Sequence, residues 1–145
     1  MAAPRSTQAY RPHALGATAE NAVAAALVAN GLQILLRNWR RRTGELDIVA
    51  KEGDILVIVE VRLRSSADFG GPAASVDVRK RRRIIRTTQQ LLQQRPEFSR
   101  LRLRFDVVAV QPASSGQRRV TITPLRDPEN QLEMEWIRHA FSAAD

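Results

Sequence analysis

The stretch from residue 44 to residue 64, GELDIVAKEGDILVIVEVRLR, decides the fold. It reads as two β-strands joined by a tight turn at Glu52-Gly53-Asp54, a composition that suits a hairpin. Side chains alternate across a strand. Glu45 and Asp47 therefore share one face of the first strand, and Glu60 and Arg62 share one face of the second. In the second strand Val57, Val59, Val61 and Leu63 fill one face, while Leu56 and Ile58 run into Glu60 on the other. A strand that is apolar on both faces is usually buried on both. A carboxylate placed there must be paired, protonated or bound to a metal. Two arrangements meet that demand: an ion pair of Arg62 with Glu60 or Asp47, or a metal site.

Upstream, Leu32 to Trp39 reads as a further strand, which enters the hairpin through the basic turn Arg40-Arg41-Arg42-Thr43-Gly44. Before it, His13 to Asn30 has Leu15, Ala19, Val23, Ala26 and Leu27 at helical spacing, and Asn30-Gly31 is a stop signal. Glu20 lies in this helix beside its apolar stripe. Downstream, a loop from Ser65 to Ser75 holds Phe69-Gly70-Gly71-Pro72. A second helix is predicted over Val76 to Arg95, with Asp77 as its cap, Val78, Ile84, Ile85, Leu91 and Leu92 as its buried stripe, and Pro96 just after its end. Leu101 to Val110 is a fourth strand, and Arg118 to Thr123 a short edge strand. Gln131 to Phe141 is expected to be a terminal amphipathic helix docked through Leu132, Trp136 and Ile137. The order is α-β-β-β-α-β-β-α: an α/β fold with a mixed central β-sheet and flanking helices.

With 145 residues and 43% hydrophobic content the chain suits one domain, from residue 13 to residue 145, behind a mobile basic tail over residues 1–12. No apolar run approaches a membrane span. The first residues lack the apolar middle of a signal peptide, so a cytoplasmic location is expected. The absence of cysteine removes disulfides, thiolate zinc sites and cysteine nucleophiles. His13 and His139 have no partner at ligand spacing, which argues against zinc.

The net charge of +8 and a pI near 11.4 favour polyanionic partners, above all nucleic acid. The first turns of the second helix hold Arg79, Lys80, Arg81, Arg82, Arg83 and then Arg86. Positive charge at a helix N-terminus opposes the macrodipole. That placement therefore points to an anion-facing role, which the turn Arg40, Arg41 and Arg42, and Arg64 after the third strand, can share. Glu20, Asp47, Glu60 and Arg62 can converge on one edge of the sheet. Two or three carboxylates with water suit Mg²⁺ or Mn²⁺, and such an ion can activate water against a phosphodiester. Trp39 and Trp136 read as core or docking residues. Asp106 reads first as a structural partner of a neighbouring arginine, and second as a support of the site from the next strand.

An acid in the first helix, Asp47, and then Glu60-Val61-Arg62 thirteen residues on together resemble the PD-(D/E)XK nuclease core. With Gly16, Glu20, Asn38, Gly44-Glu45-Leu46-Asp47, Arg64, Phe69-Gly70, Lys80 and Arg104-Phe105-Asp106-Val107-Val108, the pattern resembles the YraN family over His13 to Val110. These are small bacterial proteins similar in fold to archaeal Holliday-junction resolvases. The resemblance implies a restriction-endonuclease-like core. It also implies Asp47 and Glu60 as metal ligands, the Val61 carbonyl as a third, and Glu20 reaching the metal directly or through water. Position 62 would hold the nuclease lysine, but here it is arginine. A guanidinium keeps its proton, so Arg62 cannot be a general base, although it can orient water or neutralise a phosphate.

Three functions follow. The first is a Mg²⁺- or Mn²⁺-dependent endonuclease acting on DNA. The second is a catalytically weak or inactive nucleic-acid-binding module, and the third a protein-interaction subunit. Resolvase-like nucleases often cut as dimers, so a homodimer is implied as well, although no stretch of sequence stands out as its interface.

Overall fold

The computed structural model describes residues 12–63, 76–112, 124–126 and 132–144. Helix α1 (Pro12–Ala29) leads into strands β1 (Gln33–Arg41), β2 (Gly44–Glu52) and β3 (Ile55–Leu63). Helix α2 (Val78–Gln94) follows, then a short 3₁₀ turn at Pro96–Arg100, and strands β4 (Arg102–Pro112), β5 (Pro124–Arg126) and β6 (Leu132–Phe141). The six strands form one sheet in the order β1-β2-β3-β4-β6-β5. Among the described strand pairs, only β3–β4 is parallel. Its crossover contains α2, as a parallel connection requires.

The predicted hairpin is present, with its turn at Gly53-Asp54. Strand β3 is the centre of the molecule. Val57 and Val59 join Ile48, Ala50, Val108, Met134 and Trp136 in a core layer covered by Ala19, Val23, Ala26 and Leu27 of α1. Leu56 and Ile58 point the other way, into a layer with Leu46, Val49, Phe105, Val107 and Phe141 that Ile84 and Leu91 of α2 close. A strand sandwiched in this way must be apolar on both faces. Leu91 is fully buried, and its truncation to alanine is expected to cost about 2–5 kcal/mol.

Helix α1 stops where Asn30-Gly31 predicted. The Asn30 side chain donates to the Ala26 carbonyl at 2.7 Å, Gly31 takes φ of 92°, and the Leu32 N–H closes on the Leu27 carbonyl at 3.0 Å. Asp77 caps α2 as expected, its carboxylate accepting the Lys80 N–H at 2.8 Å.

The last element corrects the expected order, because residues 132–141 form a strand. Leu132, Met134 and Trp136 alternate with Glu133 and Glu135 and lie against the α1 layer, while β4 pairs along the strand. The helical stripe of Leu132, Trp136 and Ile137 arises because the alternation slips after Trp136. Trp136 belongs to the α1 layer and Ile137 to the α2 layer, and His139 takes φ of 52°. Backbone pairing outweighs the helical preference of Leu, Glu and Met, whose propensities differ by only tenths of a kcal/mol. Strand β5 forms a sheet edge; the expected edge strand at Arg118 to Thr123 lies outside the described residues, as do residues 1–11 of the expected tail, Arg64, and the expected loop from Ser65 to Ser75.

The expected structural role of Asp106 is borne out. Fully buried on β4, it accepts two hydrogen bonds from Arg104 at 2.8 and 2.9 Å, one from Trp136 Nε1 at 2.9 Å and one from the His139 N–H at 2.9 Å. Arg104 also reaches Glu52 at 3.0 Å. Both oxygens are thus satisfied where the β4–β6 register slips.

A candidate carboxylate site beside a basic surface

The β2–β3 ladder runs from Glu52–Ile55 to Ile48–Val59. Continued by one residue, the register sets Asp47 opposite Glu60. On the other side of β2, the pairs Arg37–Ile48 and Trp39–Leu46 bracket Asn38 and Asp47. Asn38, Asp47 and Glu60 therefore occupy one level across three strands. Regular β-structure breaks at this level. Asn38 is left-handed with φ of 52°, and Leu46 and Ile48, two apart, belong to opposite core layers. The Asp47 side chain takes up the Val61 N–H at 2.9 Å.

Glu60 points to the α2 side, where Lys80 Nζ meets its Oε1 at 2.7 Å. The Glu60 side chain is 6% exposed and that of Lys80 35%. Asp47 and Glu60 stand within hydrogen-bonding reach of each other. Burial, and then the charge of Asp47, push the Glu60 carboxyl up to about 7. Burial also raises Asp47, partly offset by its bond to the Val61 N–H.

Glu20 approaches from α1. Its carboxyl is raised by burial and then by the charges of Asp47 and Glu45. Arg37 lies 3.9 Å from it. With its nitrogen turned inward, the Asn38 amide donates to Glu20 at 2.8 Å and to Glu45 at 3.1 Å, an orientation assigned from these two acceptors. Glu45 also pairs with Arg40 at 3.2 Å.

Among the expected site residues, Asp47 and Glu60 come together, Val61 joins through its N–H, and Glu20 lies near Asp47 from the α1 side without reaching Glu60. Arg62 follows on the same face of β3 as Glu60 and is half-buried. Glu45, which the sequence sets on the same strand face as Asp47, is linked through Asn38 to Glu20. Sequence reasoning missed the contact of Lys80 with Glu60. The signals for it were a lysine within an arginine run and the place of Lys80 in the family pattern.

Among the described residues, no three His, Asp or Glu side chains already converge as a metal cage. Mg²⁺, however, is usually held by one or two carboxylates with several waters and substrate phosphates. Two facing carboxyls, one half-buried and one buried, with raised proton affinity are an all-oxygen donor set of that kind, and they fit a hard divalent cation. Asp47 and Glu60 would hold it.

The β1–β2 turn, which carries one arginine run, packs on α2, which carries the other. The Thr43 hydroxyl donates to Gln90 at 3.0 Å and lies 3.0 Å from that of Thr87, while Arg41 donates to Gln94 at 2.7 Å. Gly44 permits the approach: at φ of 146°, a Cβ there would lie 3.1 Å from Thr87 Oγ1. Arg42 in the turn and Arg79, Arg82, Arg83 and Arg86 on α2 are exposed. The last four line a shallow groove with Val78. Arg81 turns inward instead, donating to the Val76 carbonyl at 2.8 Å and lying 5.7 Å from the Phe141 ring. Arg41 stacks 3.9 Å over Trp39.

The fold and site define a mixed α/β protein with a carboxylate pair at the point where two central strands part. The family described as uncharacterised protein family UPF0102 matches residues 19–110. UPF0102 proteins of Xanthomonas campestris, Dechloromonas aromatica and Ectopseudomonas mendocina are 42%, 40% and 37% identical to the chain. The alignments cover 90%, 91% and 89% of it and 93%, 92% and 95% of those relatives. The chain belongs to the UPF0102 family, as its motifs indicated. Among the described residues, no helix is long and apolar enough to cross a membrane.

Proposed function

We propose that this protein binds nucleic acid, most readily DNA, and hydrolyses its phosphodiester backbone with the help of Mg²⁺ or Mn²⁺. The observation that carries the proposal is the facing pair of a half-buried Asp47 and a buried Glu60, touched by Lys80 of the helix whose exposed arginines line a groove. Like charges directly opposite in a sheet are destabilising. A fold that keeps such a pair buried gains from a bound cation.

Arg42, Arg79, Arg82, Arg83 and Arg86 would neutralise backbone phosphates and set the strand beside the pair. Asp47 and Glu60 would hold the divalent ion, with Glu20 beyond Asp47 completing the negative field. When bound, that ion supplies a Lewis acid and a water acidic enough to attack phosphorus near neutral pH. Lys80 and Arg62 would bring positive charge to the phosphoryl oxygens as charge builds on them.

A second reading is favoured by Arg62, which stands where the resemblance implies a lysine: a nucleic-acid-binding module with little or no catalysis. Incubation with supercoiled, linear and junction DNA in Mg²⁺ or Mn²⁺ separates the two. The nuclease reading expects cleavage that depends on the metal. Tight, salt-sensitive binding without cleavage supports the module, and no binding even at low salt removes both.

A further inference from the structure

The chain contains two lysines against 21 arginines. One of them, Lys51, lies in β2 near the hairpin turn. The other, Lys80, stands among Arg79, Arg81, Arg82 and Arg83, and it is the residue whose Nζ closes on Glu60 at 2.7 Å. The two cations are not interchangeable. An ammonium is a compact point charge on a flexible stem, and a guanidinium is a wider planar fork. A chain that uses arginine almost everywhere thus keeps lysine where α2 touches the carboxylate pair.

The backbone beneath this lysine is anchored. The Asp77 carboxylate holds the Lys80 N–H at 2.8 Å in the first turn of α2, and Ile84, Thr87, Thr88 and Leu91 fasten the helix to the sheet. Its side chain spans the boundary of the site, 35% exposed where Glu60 is 6% exposed. One end therefore touches a buried carboxylate while the rest faces the solvent side, on the helix whose exposed arginines line the groove.

We infer that Lys80 supplies the site's ammonium from α2: it pairs with Glu60 when no cation is bound, and its charge meets the phosphate of a bound nucleic-acid strand. The Glu60 contact stands on geometry alone, whereas the phosphate contact rests on the phosphodiesterase reading. Arg62, two residues beyond Glu60 on the same face of β3, is the position from which a second ammonium could replace it.

The test compares wild type with Lys80→Met, Lys80→Arg and the double variant Arg62→Lys/Lys80→Met. Mn²⁺ binding is followed by calorimetry, duplex binding at fixed salt, single-turnover cleavage in Mn²⁺, and thermal unfolding. Lys80→Met should bind Mn²⁺ about threefold or more tightly, because no ammonium competes for Glu60. It should bind DNA within about fivefold of wild type, as loss of one phosphate contact among several allows. Cleavage should fall about 100-fold, stay low in Lys80→Arg, and recover to within about tenfold of wild type in the double variant. Wild-type cleavage by Lys80→Met or Lys80→Arg overturns the inference. So does an unchanged Mn²⁺ affinity in Lys80→Met, including the case where its melting temperature falls and the residue is merely structural. If wild type cleaves no DNA, the phosphodiesterase reading fails, and the Mn²⁺ comparison still decides whether the Lys80 charge acts on Glu60.

Discussion

Asp47 and Glu60 face each other one residue beyond the last β2–β3 pair, Ile48–Val59, and each is raised by burial. A carboxyl near 7 in the folded chain, against 4.5 unfolded, binds its proton more tightly when folded. Its contribution to stability is complete below the unfolded value and is lost as pH rises through about 7. Between about pH 5 and pH 8 the metal-free protein should lose roughly 1–3 kcal/mol through this group. Urea unfolding of wild type and Glu60→Gln at both pH values isolates it, because the variant should show the flatter dependence. Equal dependences would contradict the assignment.

The same pair predicts when a cation stabilises. Mn²⁺ competes with protons for these carboxyls, so the rise in melting temperature at a given Mn²⁺ concentration should be larger near pH 8 than near pH 5. Asp47→Asn should abolish most of that rise. A Mn²⁺ response that is independent of pH and survives the substitution would place the ion elsewhere.

Asp106 carries a different expectation. Four donors converge on its two oxygens, and Arg104 is left without its main partner if it is removed. Asp106→Ala should cost about 3–5 kcal/mol by denaturant unfolding, the range for breaking a buried charge pair. Because Asp106 lies on the α1 side of β4 with Trp136 and not at the carboxylate pair, the surviving folded fraction should bind Mn²⁺ as wild type does.

Gly44 joins the turn to α2. Gly44→Ala forces a side chain into a backbone region that L-residues avoid, with Thr87 Oγ1 at 3.1 Å. It should destabilise by roughly 1–3 kcal/mol. A variant with unchanged stability would show that the turn is not held against α2.

The arginines of α2 divide by direction. If the exposed face follows a nucleic-acid backbone, replacing Arg82, Arg83 or Arg86 by alanine should each reduce the slope of log affinity against log salt by about 0.9 on duplex DNA. Arg81→Ala should leave that slope unchanged and lower the melting temperature, because its guanidinium is used inside the protein. Equal effects at all four positions would remove the distinction.

Most of this architecture was legible in the sequence because its signals are local. Gly53 marks the hairpin, Asp77 the start of α2, and the double-faced apolar run of β3 its burial. Residues 132–141 were not legible, since Leu132, Trp136 and Ile137 match a helical stripe until β4 is there to pair with them. The candidate site divides in the same way. Asp47 and Glu60 stand out as acids in apolar strands. The reach of Lys80 to Glu60, and of Asn38 to Glu20 and Glu45, depends on helix placement and on one left-handed residue that no spacing encodes.

Asp47 and Glu60 are proposed together to form a metal-dependent phosphodiesterase site. Its most direct test is the single-turnover rate of DNA cleavage in Mn²⁺ by wild type, Asp47→Asn and Glu60→Gln, each checked for native unfolding and unchanged DNA affinity. Wild type should cleave in a metal-dependent manner, and each variant should lose about 100-fold or more in rate with binding retained. Cleavage that persists in both folded variants, or its absence from wild type with every DNA form, would contradict the proposal.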